Sequence, residues 1–208
     1  MGGGRAVRRH PDAGPPPTVL QRVFLIGPAG VGKSTCGALL APTLGFDFVD
    51  LDAEFNRRLG DIGEFIVHEG YLAYCRSNVD LFEALLGEEE SDVVYALSSS
   101  FLLYEDLDPS YSRLAGELRR LGVSILLLPA KSIEDAEEIT LRRLLARRPG
   151  LDAERERAKF RTRFHKYIRH GDVQIICNAP PDVTAERARQ GYERFLAHTA
   201  RERNVPPS

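Results

Sequence analysis

Short, largely apolar runs alternate with longer stretches of helical periodicity from about residue 19 to residue 200. Five of the runs predict strands, because continuous apolar runs are typical of strands that a parallel sheet buries on both faces. The predicted strands are Val19–Ile26, Phe46–Val49, Asp92–Leu97, Val123–Leu128 and Val173–Cys177. The predicted helices are Lys33–Leu44, Ala53–Arg58, Glu64–Leu86, Tyr111–Leu121, Ser132–Arg147, Ala153–His170 and Thr184–His198. This alternation predicts an α/β fold in three layers, a five-stranded parallel sheet flanked by helices, with ligands beyond the carboxyl ends of the strands.

The length of 208 residues suits one domain, since a single hydrophobic core serves roughly 100 to 200 residues. We place that domain at residues 19–200. Residues 1–18 are rich in glycine, proline and arginine and predict a disordered lead-in, and residues 201–208 predict a flexible tail. The highly charged stretch 142–163 predicts a helical hairpin at the rim of the sheet, and therefore a candidate lid.

Charge and cysteine content narrow the classes of partner. Lys and Arg total 28 against 30 Asp and Glu, so the formal net charge is −2 and no basic field is available for nucleic acid. No apolar run reaches the 18 residues that a membrane span needs. Three widely spaced cysteines without a C-x-x-C motif favour a reducing cytoplasm over a disulfide framework or a zinc site. We expect a monomer or a small homo-oligomer.

Residues 27–35 read Gly-Pro-Ala-Gly-Val-Gly-Lys-Ser-Thr and fit the phosphate-loop pattern G-x-x-x-x-G-K-[ST], directly after a predicted strand and before a predicted helix. Glycines let backbone N–H groups close around phosphate oxygens, and the helix amino terminus adds partial positive charge. Lys33 is expected to reach the β- and γ-phosphates, and Ser34 to offer its hydroxyl to Mg²⁺. The alternative is a glycine-rich turn that only joins a strand to a helix. The candidate nucleotide-binding residues are Gly27, Gly30, Val31, Gly32, Lys33, Ser34 and Thr35.

Two carboxylates, Asp50 and Asp52, follow the second predicted strand. Alternation along an extended chain directs both into the crevice beside the phosphate loop. One carboxylate can then organise Mg²⁺ and its waters, and the other can accept the proton of an attacking hydroxyl. The alternative for Asp52 is a helix N-cap, because it opens a helical pattern.

The chain resembles the shikimate kinase family from about Arg22 to Cys177. The family's F-x-D-x-D is similar to Phe48, Asp50 and Asp52. The resemblance implies that Asp50 acts through Mg²⁺, and that Asp52 holds the acceptor hydroxyl and is a candidate base. It also implies a P-loop kinase fold with a helical lid that transfers the γ-phosphoryl group of ATP to shikimate. Asn178-Ala179-Pro180 resembles the family's loop beside the adenine.

Three arginines acquire roles through the same resemblance. Arg76 and Arg163 are implied to bind the carboxylate of the substrate, and Arg142, in a motif similar to R-P-L-L, to be the lid residue that faces the transferred phosphate. Guanidinium groups bind carboxylates bidentately and neutralise charge on phosphoryl oxygens, so the set is chemically coherent. The alternative for each is a solvated position on a charged helix.

Four departures make the chain a divergent member. Ser98, Ser99 and Ser100 replace a glycine triplet at the acceptor site, Cys75 replaces a phenylalanine, and Val79 replaces a glutamate that orients the substrate arginine. Before the lid, Asp135, Glu137 and Glu138 stand where the family usually carries an arginine that stacks on adenine. The serines can still bind a ligand or form an ordinary polar turn.

These observations lead to three hypotheses for function. The first is a kinase that phosphorylates shikimate or a similar hydroxy acid, with Lys33, Asp52 and Arg142 as catalytic residues and the serine triplet as part of the acceptor site. The second is a kinase of the same architecture that acts on another polyol or sugar acid, such as gluconate. The third is a degenerate P-loop protein that binds nucleotide without kinase activity.

Overall fold

The computed structural model describes residues 20–203, except for the side chains at positions 105, 106, 110 and 203. The predicted lead-in, residues 1–18, and residues 204–208 of the predicted tail lie outside the described residues. None of the helices in the described part combines the length and the apolar content that a membrane span requires.

Five strands form one parallel sheet in the order β2-β3-β1-β4-β5. They are β1 Arg22–Ile26, β2 Asp47–Asp50, β3 Val93–Ala96, β4 Val123–Leu128 and β5 Val173–Ile176. The predicted fold class is therefore confirmed, and the predicted strand ends agree within three residues. The central strand β1 lies between β3 and β4, so the loop that follows it opens at the middle of the sheet's carboxyl edge.

Eight α-helices in the described part cover both faces of the sheet. They are α1 Lys33–Leu44, α2 Leu51–Leu59, α3 Ile62–Glu69, α4 Tyr71–Gly87, α5 Leu114–Leu121, α6 Ile133–Arg147, α7 Ala153–Tyr167 and α8 Pro181–Arg203. Phe24 and Ile26 belong to the hydrophobic cluster on one face, whereas Val23 and Leu25 belong to the cluster on the other. Successive side chains of a strand point to opposite faces, which accounts for a continuous apolar run with two cores.

Only the first helix has its predicted bounds at both ends; four others agree within three residues, and the two largest differences are an interruption and an extension. The predicted helix Glu64–Leu86 is divided at Gly70, whose φ of 88° lies in the left-handed region that glycine tolerates, so α3 ends there and α4 begins at Tyr71. Helix α8 begins at Pro181, because proline suits a first helical position, and it extends to Arg203. Residues 201–203, which the sequence analysis assigns to the tail, are therefore helical.

The predicted lid region spans the second half of α6, a turn and the first half of α7. Helices α6 and α7 pack against each other, and a buried carboxylate joins them: Glu137 of α6 accepts hydrogen bonds from Arg157 and Arg161 of α7. Hydrogen bonding from Arg161, followed by that from Arg157, lowers the pKa of Glu137 below its usual range. Glu137, one of the acidic residues that stand in place of the family's adenine-stacking arginine, therefore joins α6 to α7 in this chain.

Candidate active site

The phosphate loop joins β1 to α1 through three glycines with positive φ, Gly27 at 140°, Gly30 at 74° and Gly32 at 101°. A Cβ atom on Gly27 would lie 2.4 Å from the backbone oxygen of Leu127 in β4. Gly32 occupies the N-cap position of α1 and contributes no side-chain cap. The first-turn N–H groups are therefore not satisfied by a cap at this helix end, as an anion-binding loop requires.

Lys33 folds back onto this loop. Its ammonium group donates hydrogen bonds to the backbone oxygens of Gly27, at 2.9 Å, and Pro28, at 3.2 Å. Burial lowers the pKa of Lys33 to about 8, and the nearby carboxylates of Asp52 and Asp50 oppose that effect. The lysine and the acid pair thus face one crevice, so that a phosphoryl group on the loop would have the carboxylates beside it.

Asp50, and not Asp52, caps helix α2. Its Oδ1 accepts hydrogen bonds from the backbone N–H groups of Asp52, at 3.0 Å, and Ala53, at 3.1 Å. Asp52 lies in the first turn with its side chain exposed to the crevice. The N-cap alternative for Asp52 is therefore wrong, because the β-region backbone that a cap needs occurs two residues earlier.

Oxygen donors suited to Mg²⁺ flank the crevice. Ser34 is exposed at the start of α1, and the half-buried Asp50 keeps its second carboxylate oxygen outside the cap contacts. Within residues 20–203 no group of three or more His, Cys, Asp or Glu side chains forms a self-sufficient metal site. This donor set fits Mg²⁺, which is commonly bound by one or two protein oxygens together with substrate phosphates and water.

A cavity of about 240 Å³ opens beside the phosphate loop, between the start of α1, helix α6 and the loop after β5. Helix α6 lies over the loop, since the backbone oxygen of Thr140 is 3.8 Å from the Cβ position of Gly30. The Ala179 region, similar to the family's adenine loop, forms the opposite wall. The lining residues are Gly30, Val31, Gly32, Thr35, Cys36, Arg143, Arg147, Cys177, Ala179, Pro181 and Thr184.

Of the neighbouring pair Arg142 and Arg143, the structure brings Arg143 to this cavity, whereas Arg142 is exposed outside it. The guanidinium group of Arg143 donates a hydrogen bond to the backbone oxygen of Cys177 at 3.4 Å. Neighbouring residues on a helix point about 100° apart, so only one of the pair can face the loop. The placement implied for Arg142 is corrected accordingly: α6 presents Arg143 and Arg147 to the loop. Sequence reasoning missed both residues, although their spacing of four predicts a shared helix face.

The serine segment follows β3 and lies beside Asp52. The hydroxyl of Ser98 donates a hydrogen bond to Oδ1 of Asp52 at 2.5 Å. Ser98 and Ser100 are buried, and Ser99 is half-buried. The φ of Ser100 is −117°, so this position does not require glycine. Ser98 therefore adds a hydroxyl group beside the Asp52 carboxylate.

Aromatic and amide side chains of α4 and the following 3₁₀ segment Phe101–Asp106 surround the serines. The amide nitrogen of the fully buried Asn78 donates hydrogen bonds to Ser98, at 2.9 Å, and to the hydroxyl of Tyr104, at 2.7 Å. Burial raises the pKa of Tyr74 to about 12, and the Asp52 carboxylate adds to that effect. Sequence reasoning missed these residues. Their signal is the spacing of Tyr71, Tyr74 and Asn78, which predicts one face of a helix.

Arg163 and Arg76 lie in different surroundings. Half-buried Arg163 lines a second cavity of about 410 Å³ together with Tyr71, and it is near Cys75. Burial raises the pKa of Cys75 to about 11, and Tyr71 and Arg163 oppose that rise. The Arg76 side chain is 59% exposed, and its guanidinium lies 3.9 Å from the carboxylate of Asp108. The structure thus directs Cys75 toward Arg163, and the next residue, Arg76, toward Asp108.

Comparisons with known proteins relate the chain to kinases of one family and fold. The shikimate kinase family model matches residues 29–109. A shikimate kinase from Nitratidesulfovibrio vulgaris is 32% identical over 175 residues, which cover 79% of this chain and 94% of the relative. The structure of a shikimate kinase from Acinetobacter baumannii in complex with shikimate has a TM-score of 0.61 at 22% identity, covering 89% of this chain and 96% of that one. A gluconokinase from Sinorhizobium meliloti has a TM-score of 0.52 at 17% identity, covering 90% and 99%.

The two solved structures establish the likeness of fold. The family rests on the relative from N. vulgaris, which the chain matches over nearly its whole length, and on the family model, whose match includes the end of the phosphate loop, the acid pair and the serine segment. The chain therefore belongs to the shikimate kinase family.

Proposed function

We propose that this protein transfers the γ-phosphoryl group of ATP to a hydroxyl of shikimate or of a closely similar hydroxy acid. The observation that carries the proposal is the single crevice that Lys33 and Asp52 share at the carboxyl edge of the sheet. Membership of the shikimate kinase family supplies the substrate class. A phosphate-binding lysine beside an exposed carboxylate is the arrangement that phosphoryl transfer to an alcohol needs.

The nucleotide would bind along the loop 27–35 and extend into the cavity beside Arg143. The backbone N–H groups at the start of α1 suit the phosphates, and Lys33 would exchange its two loop carbonyls for phosphate oxygens. Ser34 and Asp50 would hold Mg²⁺, which would neutralise charge on the phosphate oxygens when bound. Arg143 would supply a further guanidinium on the lid side of the cavity.

The acceptor would lie between Asp52 and Arg163. Asp52 would take the proton of the acceptor hydroxyl as its oxygen bonds to the γ-phosphorus and ADP leaves. Arg163 is the candidate for the substrate carboxylate, and its place beside Tyr71 and Cys75 supports that role. Arg76 keeps this role only if binding of the acid draws it away from Asp108, and its exposed side chain permits such a movement. The triplet Ser98–Ser100 would line the same side.

The second hypothesis, another sugar acid or polyol as acceptor, is favoured by the serine hydroxyls that replace bare glycine backbone. The third hypothesis, nucleotide binding without turnover, is favoured by the placement of Arg76, whose side chain is 59% exposed and lies 3.9 Å from the carboxylate of Asp108. Each of the two differs from the first hypothesis in which acid, if any, causes ADP release when it is added to the protein with MgATP.

A steady-state screen separates the three hypotheses. ADP release is measured with MgATP and, in turn, shikimate, gluconate and other polyhydroxylated acids, for the wild-type protein and for Lys33→Ala. We expect turnover with shikimate that Lys33→Ala abolishes, because the variant loses the positive charge that binds the phosphates of ATP. Turnover with another acid alone would support the second hypothesis. Thermal stabilisation by nucleotide without ADP release would support the third.

The pathway, the location and the oligomeric state of the protein are finer predictions. A shikimate acceptor would place the reaction in aromatic amino acid biosynthesis. The cysteines Cys36, Cys75 and Cys177 are buried free thiols, which supports a reducing cytoplasm as the location. The monomeric or small homo-oligomeric state stays a prediction, as does closure of the α6–α7 lid.

A further inference from the structure

Ser98, which replaces the first glycine of the family's triplet, follows a strand that lies between the strands leading to Asp52 and to the phosphate loop. Strand β3 lies between β2, which leads to Asp52, and β1, which leads to the phosphate loop. Ser98, two residues beyond the end of β3, therefore lies between the proposed base and the proposed phosphate site. Its side chain is 5% exposed, whereas that of Asp52 is open to the crevice.

The carboxylate of Asp52 decides the direction of the hydrogen bonds of Ser98. An ionised carboxylate can only accept, so the hydroxyl proton of Ser98 is directed to Asp52 Oδ1. Ser98 Oγ then has only lone pairs to offer to Asn78, whose amide nitrogen donates to it at 2.9 Å and whose buried Oδ1 has no hydrogen-bond partner. Asn78 is itself fully buried and held by a second hydrogen bond to Tyr104. The Asp52 carboxylate is thus anchored from its buried side.

We propose that Ser98, oriented by Asn78, is a positioning residue that holds Oδ1 of Asp52 and thereby presents Oδ2 to the hydroxyl of the acceptor. This inference rests on the proposed kinase function. In that reaction the acceptor oxygen forms a bond to the γ-phosphorus, the bond from that phosphorus to the β–γ bridging oxygen breaks, and the hydroxyl proton passes to Oδ2. A glycine at position 98 has no hydroxyl with which to make this contact.

Positioning of this kind acts on the chemical step. Ser98 touches neither the nucleotide loop nor Arg163 through its hydroxyl in the described structure, so its removal leaves the phosphate and carboxylate contacts in place. A base that is free to rotate spends less time in line with the hydroxyl, and misplacement of a reacting group by about 1 Å can cost on the order of 10²-fold in rate. The proposal therefore predicts a change in kcat with little change in KM.

The test compares Ser98→Ala, Ser98→Thr and the control Ser124→Ala in steady-state assays with MgATP and the acid that the wild type turns over. Ser124 is also buried, but it lies near the other end of the sheet in β4. We expect Ser98→Ala to lower kcat about tenfold or more with both KM values within about threefold of wild type. Ser98→Thr, which keeps a hydroxyl, and Ser124→Ala should retain kcat within about threefold.

A double-mutant cycle of Ser98 and Asn78 tests the same contact to Asp52. Asn78→Ala should also lower kcat, and the double variant with Ser98→Ala should lose no more than the larger single loss, because both act through one contact to Asp52. Ser98→Gly gives the same comparison if Ser98→Ala does not fold. Wild-type kcat in folded Ser98→Ala, or equal losses in Ser124→Ala, would overturn the positioning role alone. Absence of turnover in the wild type with every acid would overturn the proposed function, and this role with it.

Discussion

Replacing Gly27 with alanine tests whether the phosphate loop is seated against the sheet as the structure has it. The φ of 140° at this residue is one that side chains rarely adopt, and the added Cβ would lie 2.4 Å from the backbone oxygen of Leu127. Leu127 is fully buried in β4, which pairs with β1 and β5 on its two sides. The carbonyl therefore has little freedom to retreat.

The cost follows from two contributions. Carbon and carbonyl oxygen normally approach to about 3.3 Å or more, so the overlap is roughly 1 Å. Overpacking of this kind costs about 1–3 kcal/mol, and the positive φ adds about 1–2 kcal/mol. The expected loss in the free energy of unfolding is about 2–5 kcal/mol, or roughly 4–20 °C in Tm for a chain of this size.

Gly32→Ala is the matched control, because Gly32 has a φ of 101° in the same loop but no atom within 4 Å of the added Cβ. It should lose only the contribution from φ, about 1–2 kcal/mol. Urea unfolding followed by far-UV circular dichroism at 25 °C measures both variants against wild type. If Gly27→Ala lost no more stability than Gly32→Ala, the close approach of the loop to β4 would be refuted.

Four further predictions concern the site and the lid. Arg143→Ala should weaken ADP binding about tenfold in calorimetric titrations while Arg142→Ala changes it less than threefold, because Arg143 lines the cavity and Arg142 does not; equal effects would refute the assignment. ADP affinity should fall as pH rises through about 8, since Lys33 then loses the proton that binds phosphate, and Lys33→Ala should remove this dependence in titrations at pH 7, 8 and 9. Asp52→Asn should reduce kcat about 10²- to 10⁴-fold with little change in ADP affinity, and an unchanged kcat would exclude Asp52 as the base. Glu137→Ala should destabilise the protein by about 1–3 kcal/mol at pH 7, a cost that disappears in acid as the wild-type carboxylate is protonated below its ordinary pKa; no change in urea unfolding would show that this contact does not join α6 to α7.

The sequence predicts the strands, most of the helices and the phosphate loop because the patterns that indicate them are local. Apolar runs identify strands wherever a sheet is buried on both faces, and the loop motif carries its own strand and helix on either side. The break at Gly70 was missed, since the apolar periodicity continues across it and only the backbone angle reveals the turn. The order of the strands depends on contacts between distant segments, which no short pattern records.

Site residues are harder to predict from the sequence where the rotation of a helix about its axis determines which side chain faces the crevice. A motif identifies a stretch such as Arg142-Arg143, but a rotation of about 100° per residue determines which side chain faces the loop. The same rotation determines that Cys75, and not the next residue Arg76, lies near Arg163 on α4. Asn78 was missed because its role arises from burial against Ser98 and Tyr104, which lie 20 and 26 residues away along the chain.

Direct observation of the product tests the central claim. Phosphorus NMR of the wild-type protein with Mg²⁺, ATP and shikimate should show a new phosphate monoester resonance that grows in step with ADP, and neither should form in Lys33→Ala or without the acid. If the ATP signals persisted unchanged while the folded protein still bound ADP, the chain would hold nucleotide without transferring phosphate to shikimate.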